Sequence, residues 1–256
     1  MRPNTTKQKL REGRTVMGAI IGEYAPVALE MTGALGFDFV MIDCEHGSMT
    51  LDQVENLVRA SEAFDLTPLA RVPDHEASTI LRFLDRGVQG IIVPHVNTAE
   101  QALAVARAAR YYPEGERSIG STRAHDYYVG ISRAEAAKFL NEHVMVIPMI
   151  EHIDAVRNMD AILAVPGVDV VHIAANDLAQ SMGFPPEAEV RAKSMEAIAK
   201  ARAAGSPAGV GGNDPGNPQA VAELVREGAT FVTLSALGLL RLGIDTFRRE
   251  FEVASS

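Results

Sequence analysis

The apolar residues of this chain gather into short continuous runs, each followed by a longer stretch with a single apolar face. The runs at 16–21, 37–42, 68–72, 90–93, 144–150, 168–174, 207–211 and 229–234 read as eight strands. They are apolar at nearly every position instead of every second one, as in strands covered on both faces. Between them the spacing becomes helical. Helices are predicted at 6–12, 26–35, 51–64, 76–86, 99–110, 132–141, 153–163, 188–204, 218–227 and 236–251, with a short helical turn after Asp177. Thr50 and Thr98 stand where N-caps are needed, and Gly13, Gly36 and Gly87 where helices stop. Strand and helix alternate with no other repeat or linker, so residues 1–256 are predicted to form one α/β domain, a parallel (β/α)8 TIM barrel.

A barrel of this kind carries its chemistry where strands end. The polar residues fall there: Asp43, Glu45 and His46 after the second run, Arg71 in the third, Glu151 after the fifth, Asn176 and Asp177 after the sixth. A charge beside buried strand is costly without a partner, so Arg71 in PLARVP calls for an anion, either a bound carboxylate or the carboxylates of the site. Glu151 and Asp177 form a pair suited to a hard divalent cation, Mg²⁺ or Mn²⁺, with Co²⁺ able to substitute. Two protein ligands leave about four octahedral positions for water and a chelating 2-oxo acid, whose enolate the cation would stabilise. The competing reading pairs Glu151 with Arg71 and makes Asp177 a cap.

Composition narrows the classes. A net charge of −9 with no basic cluster argues against nucleic acid as a partner. The single cysteine, Cys44, cannot form an intrachain disulfide. The first 13 residues are polar, and no apolar run approaches the ~20 residues that span a bilayer, so a cytoplasmic protein is expected. The five lysines, at 7, 9, 138, 193 and 200, lie in terminal or helical polar contexts and none on a strand, which disfavours Schiff-base chemistry. GVGGNDPG (209–216) reads as a tight βα turn or an anion cradle. The segment 111–130 is the longest irregular stretch. Its Arg117, Arg123 and His125 suit either an acidic aldehyde or inter-subunit salt bridges.

The stretches DCEHG (43–47), LARVP (69–73), LDRGVQGIIVPHVNTAEQA (84–102), YPEGERSIG (112–120), IE (150–151) and VPGVDVVHIAANDLAQSMG (165–183) carry a resemblance over nearly the whole chain. The sequence resembles the metal-dependent class II pyruvate aldolases, the group with 4-hydroxy-2-oxoheptanedioate and 2-dehydro-3-deoxyglucarate aldolases. The resemblance implies reversible retro-aldol cleavage of a 4-hydroxy-2-oxo acid to pyruvate and an aldehyde. It implies Glu151 and Asp177 as metal ligands, Arg71 on the keto oxygen or carboxylate, and His46 as the acid/base for the aldol hydroxyl. Asp43 or Asp85 would orient His46, and backbone N–H groups at Ala175 and Asn176 would hold the pyruvate carboxylate. It also implies a hexamer, a trimer of dimers with the C-terminal helix exchanged between subunits. This chain departs from the family pattern at Met149, where Gln is usual, at Ala174-Ala175, where Gly-Pro is usual, at His152 and His172, and after the first strand unless Tyr24 walls the pocket. His172 reads as a satisfied core histidine. The alternatives are a citryl- or malyl-CoA-type lyase, a phosphoenolpyruvate mutase relative, or a barrel that binds a 2-oxo acid with little turnover.

Overall fold

The computed structural model describes residues 1–255. Eight parallel strands close into a barrel in chain order, the eighth returning to the first: β1 (Val16–Ile21), β2 (Phe39–Asp43), β3 (Thr67–Arg71), β4 (Gly90–Val93), β5 (Met145–Ile150), β6 (Val171–Ala174), β7 (Ala208–Asn213) and β8 (Ala229–Ser235). Around them lie α1 (Thr5–Arg11), α2 (Pro26–Ala34), α3 (Leu51–Ala63), α4 (Ala77–Asp85), α5 (Ala99–Ala109), α6 (Arg133–His143), α7 (Ile153–Arg157), α8 (Met159–Leu163), α9 (Ala175–Ser181), α10 (Glu187–Ala203), α11 (Pro218–Glu227) and α12 (Ala236–Ala254). The predicted barrel is the observed one.

Successive strand residues point to opposite faces, and the apolar side chains sort accordingly into two cores. Phe39, Met41, Leu69, Ile92, Met145, Ile147, Met149 and Phe231 fill the barrel interior. Their neighbours Val40, Ile42, Ala70, Ile91, Val93, Val146, Ile150 and Val232 pack outward beneath the helices. Leu10 of α1 joins the interior cluster and stops the barrel at its N-terminal end. Lys7 beside it is buried, its Nζ 2.8 Å from both Val144 O and an Asp169 oxygen. That corrects the expectation that every lysine lies in a polar context. Burial pushes the Lys7 ammonium below its usual range, against the pull of Asp169.

Several elements differ from the sequence pattern. The sixth strand starts at Val171, not at 168. The predicted helix at 153–163 divides at Asn158 into α7 and α8, and the Asn158 amide donates to Asn97 O at 2.8 Å. The segment 111–130 contains a 3₁₀ turn, Arg123–Tyr128, and packs onto the N-terminal end of the barrel. There Arg117 pairs with Asp85 at 2.9 Å, Arg123 grips both oxygens of Glu62 at 2.8 and 2.7 Å, and His125 Nε2 meets the Tyr111 hydroxyl at 2.6 Å. All three side chains are therefore engaged within this chain. Of the Gly-rich stretch 209–216, residues 209–213 belong to β7, and only 214–217 make the βα turn: the Asn213 amide donates to Val210 O and Thr233 O at 3.1 Å each, and the Asn217 N–H to Asp214 O at 3.0 Å. Among the described residues no helix is long and apolar enough to cross a membrane.

Candidate active site

Alternation along a strand decides which polar residues reach the barrel mouth. Asp43, Arg71 and Glu151 each lie two residues beyond an inward apolar side chain, Met41, Leu69 and Met149, so all three turn inward at the C-terminal end. Asp43 and Arg71 are also register partners on β2 and β3. The guanidinium meets the carboxylate in a bidentate fork, Nε to Oδ1 at 2.8 Å and Nη2 to Oδ2 at 2.6 Å. Burial by itself would raise the Asp43 pKa; the Arg71 hydrogen bonds and charge outweigh it and hold the carboxyl below its usual range.

The anion that Arg71 called for is thus supplied by the site. Glu45 completes it, with Oε2 at 3.2 Å from Arg71 Nη1 but without hydrogen-bond geometry, so that this buried oxygen has no hydrogen-bond partner. Glu151 does not pair with Arg71. It is 5% exposed and accepts the His95 N–H at 2.6 Å, with His95 Nδ1 3.1 Å from the same oxygen. His95 reaches it from a left-handed backbone conformation, φ +59°, just past β4. Burial pushes the Glu151 carboxyl above its usual range; the charges of Glu45 and Asp177 push the same way, against the His95 N–H and ring.

Asp177 is exposed and sits in the first turn of α9, which begins two residues before it. No side chain caps that helix, so the N–H groups of Ala175 and Asn176 lie at its open start. His46 is exposed, and its backbone N–H donates to Asp43 Oδ1 at 3.3 Å, as does that of Glu45 at 3.2 Å. The turn is possible because residue 47 is Gly: a Cβ there would lie 2.1 Å from Asp43 O and 2.5 Å from Gly22 O. Of the two aspartates weighed for His46, Asp43 accepts the backbone N–H of that residue, a contact with the loop and not with the imidazole. Asp85 is the last residue of α4, which runs from the C-terminal to the N-terminal end of the barrel, and it faces Arg117 there. Within this chain Asp85 is therefore not part of the cluster around His46.

Met149 is 2% exposed inside the barrel and is the register partner of His172. His172 is a core histidine but not a satisfied one, because its buried Nδ1 has no hydrogen-bond partner. Burial, then the Arg71 charge, push its pKa down to about 3, so the ring is neutral. Tyr24 is 44% exposed beyond β1. Two residues at the mouth, Glu45 and His95, were assigned no role in the sequence. Pro94-His95 closes an apolar run as Glu151 does, which is a signal of position; the φ that aims His95 at Glu151 leaves none.

The charges decide what this mouth can hold. Glu151 is buried within reach of two other carboxylates, and the guanidinium nearby is already engaged by Asp43. A dication suits that surplus, and Glu151 with Asp177 are oxygen donors of the kind that hard cations take. Among the described residues no group of three or more His, Cys, Asp or Glu side chains is arranged to hold a metal, so solvent and substrate would complete its sphere.

Residues 21–240 match the family model for HpcH/HpaI aldolase/citrate lyase. The chain is 36% identical over 248 residues, 95% of its length and 89% of the relative's, to 4-hydroxy-2-oxovalerate aldolase of Novosphingobium aromaticivorans. Its fold superposes on an HpcH/HpaI aldolase/citrate lyase family protein from Burkholderia cenocepacia with a TM-score of 0.89, at 26% identity over 99% of this chain and 100% of that one. It superposes on the citrate synthase SbnG with a TM-score of 0.84, at 29% identity over 98% of both chains. With a model match across most of its length and a curated aldolase so similar throughout, this chain belongs to the HpcH/HpaI aldolase/citrate lyase family.

Proposed function

We propose that this protein is a divalent-cation-dependent class II aldolase that cleaves a 4-hydroxy-2-oxo acid to pyruvate and an aldehyde, reversibly. The observation that carries the reading is the arrangement at the mouth: Arg71 fixed by Asp43 beside a buried, charge-crowded Glu151. Its similarity to a 4-hydroxy-2-oxovalerate aldolase supports the substrate class.

Glu151 and Asp177 hold the cation, Mg²⁺ or Mn²⁺ with Co²⁺ as a substitute; when bound it supplies Lewis-acid stabilisation of negative charge on the oxo acid. Arg71 faces the keto oxygen or carboxylate, and Asp43 keeps the guanidinium in one orientation. The N–H groups of Ala175 and Asn176 receive the carboxylate. His46 takes the proton of the C4 hydroxyl as the C3–C4 bond breaks. The bonding pair passes into the pyruvate enolate, the aldehyde leaves, and protonation at C3 yields pyruvate. In synthesis the same groups work in reverse. The proposal places the enzyme in the cytoplasm and in a hexamer with α12 exchanged between subunits. The support for exchange is the row Leu237, Leu240, Ile244, Phe247 and Phe251, each more than half exposed on one face of α12.

The likeness to a citrate synthase favours a second reading, carbon–carbon bond formation between an enolate and a keto acid at the same mouth. Exchange of pyruvate methyl protons in D₂O, followed by NMR, tests the half-reaction without knowing the aldehyde. Exchange with Mg²⁺ or Mn²⁺ that stops on chelation is expected, and an aldehyde panel then separates the two readings. No exchange with the cation present would sink the aldolase reading.

A further inference from the structure

His172 stands directly beneath the mouth, and nothing in the proposed chemistry uses it. It lies on β6 between the interior core and the Arg71 layer, 2% exposed, edge-on to Phe231 with ring centroids 5.8 Å apart. The facing strand makes room for it. On β7 the inward positions are Gly209 and Gly211, where a Cβ would fall 2.5 Å from His172 Nδ1 and 2.8 Å from Nε2. Any other residue at either position would collide with the imidazole, so the ring fits a slot that two missing side chains create.

That slot also orients the ring. β7 runs from Gly209 toward the C-terminal end, so Nδ1, against Gly209, points down into the core and Nε2, against Gly211, points up toward the mouth. The buried Nδ1 has no hydrogen-bond partner. A neutral imidazole carries one proton, on one nitrogen. A buried N–H without an acceptor is costlier to leave unmade than a bare acceptor nitrogen. The proton therefore belongs on Nε2, the nitrogen facing the site. The Thr233 hydroxyl beside Gly211 is directed elsewhere, donating to Val210 O at 3.3 Å. With burial and Arg71 both opposing a charge, the ring stays neutral and the donor persists across the physiological range. A buried polar group set in a shaped slot is expensive in an otherwise apolar layer, and a hydrogen bond to ligand is what offsets the expense.

We propose that His172 is a substrate-positioning residue: its neutral Nε2–H donates, from the floor of the site, to an oxygen of the bound 2-oxo-acid anion. This rests on the aldolase reading for the identity of the ligand, but its geometry does not. Met149, its register partner, offers no donor, so β6 supplies the polar group that β5 lacks at this level.

The test joins two readouts on the full-length protein. ¹⁵N NMR of histidine-labelled wild type reads the tautomer and is expected to show Nε2–H, with the Nε2 resonance moving when pyruvate is added with Mg²⁺. The His172→Phe variant keeps a flat ring over the two glycines; its half-saturating pyruvate concentration for methyl-proton exchange should rise about tenfold or more. His172→Gln, which restores a neutral donor, should recover most of that loss, whereas a residue that merely fills space would be indifferent to the difference. A proton on Nδ1, an unmoved Nε2 resonance, or a Phe variant with unchanged half-saturation would each overturn the assignment. Wild type whose Nε2 responds to pyruvate without methyl exchange would sustain the role of His172 and sink the aldolase reading instead.

Discussion

His95 meets one oxygen of Glu151 twice, donating its backbone N–H at 2.6 Å and bringing ring Nδ1 to 3.1 Å without hydrogen-bond geometry. The carboxylate is thereby fixed, yet its charge is poorly compensated, since burial and the fields of Glu45 and Asp177 all oppose it. Glu151→Gln keeps an acceptor oxygen for His95 and removes the charge. The cation-free variant should melt at the wild-type temperature or above it. Wild type should gain thermal stability on adding Mg²⁺ or Mn²⁺, by mass action, and the variant should not. Calorimetry of both proteins with and without cation decides; a variant that keeps the gain would remove Glu151 from the ligand set.

Asp43 gives a pH-dependent test. Its folded pKa lies below the unfolded value, so its contribution is complete above the ordinary carboxylate range of about 3.9 and is lost as pH falls through the depressed value. Asp43→Asn should cost about 3 kcal/mol at neutral pH, the low end for breaking a buried pair, because Glu45 still faces Arg71. The difference between the two proteins should narrow only below pH about 4. Urea denaturation from neutral to acid pH measures it, and a gap that stays constant throughout would mean that the pair is not ionic.

Gly47 is a steric test of the loop that carries His46. A methyl group would lie 2.1 Å from Asp43 O, a backbone atom that cannot swing aside. Gly47→Ala should lower the melting temperature and reduce turnover at least tenfold, with the Asp43–Arg71 pair displaced. Wild-type kinetics in this variant would show that the loop tolerates movement and that His46 is not held by it.

The row along α12 is a test of assembly. Leu240 and Phe247 are 60% and 69% exposed in the isolated chain, on a helix with no buried residue. Sedimentation velocity should find wild type larger than a monomer. Leu240→Asp with Phe247→Asp should shift it toward smaller species. An unchanged distribution would place the subunit interface elsewhere.

Much of this was legible in the chain itself. Eight apolar runs alternating with helical spacing determine a parallel barrel, because strands buried on both faces must be apolar throughout and parallel strands need crossovers. The two-residue period then determines that Asp43, Arg71 and Glu151 turn inward at the end where the strands stop. These are properties of local backbone geometry, and they survive any change in what lies opposite.

What lies opposite was decided only by tertiary structure. Arg71 chose an aspartate 28 residues away, and Glu151 a histidine 56 residues away that is held at positive φ. Asp85, grouped with the site by motif, was carried by α4 to the other end of the barrel. His172 reads as an ordinary core residue until two glycines on the neighbouring strand reveal the slot around it and the nitrogen it turns to the mouth. A period names the face a side chain occupies; a partner depends on distances of about 3 Å between residues remote in the chain, and those exist only once the barrel has closed.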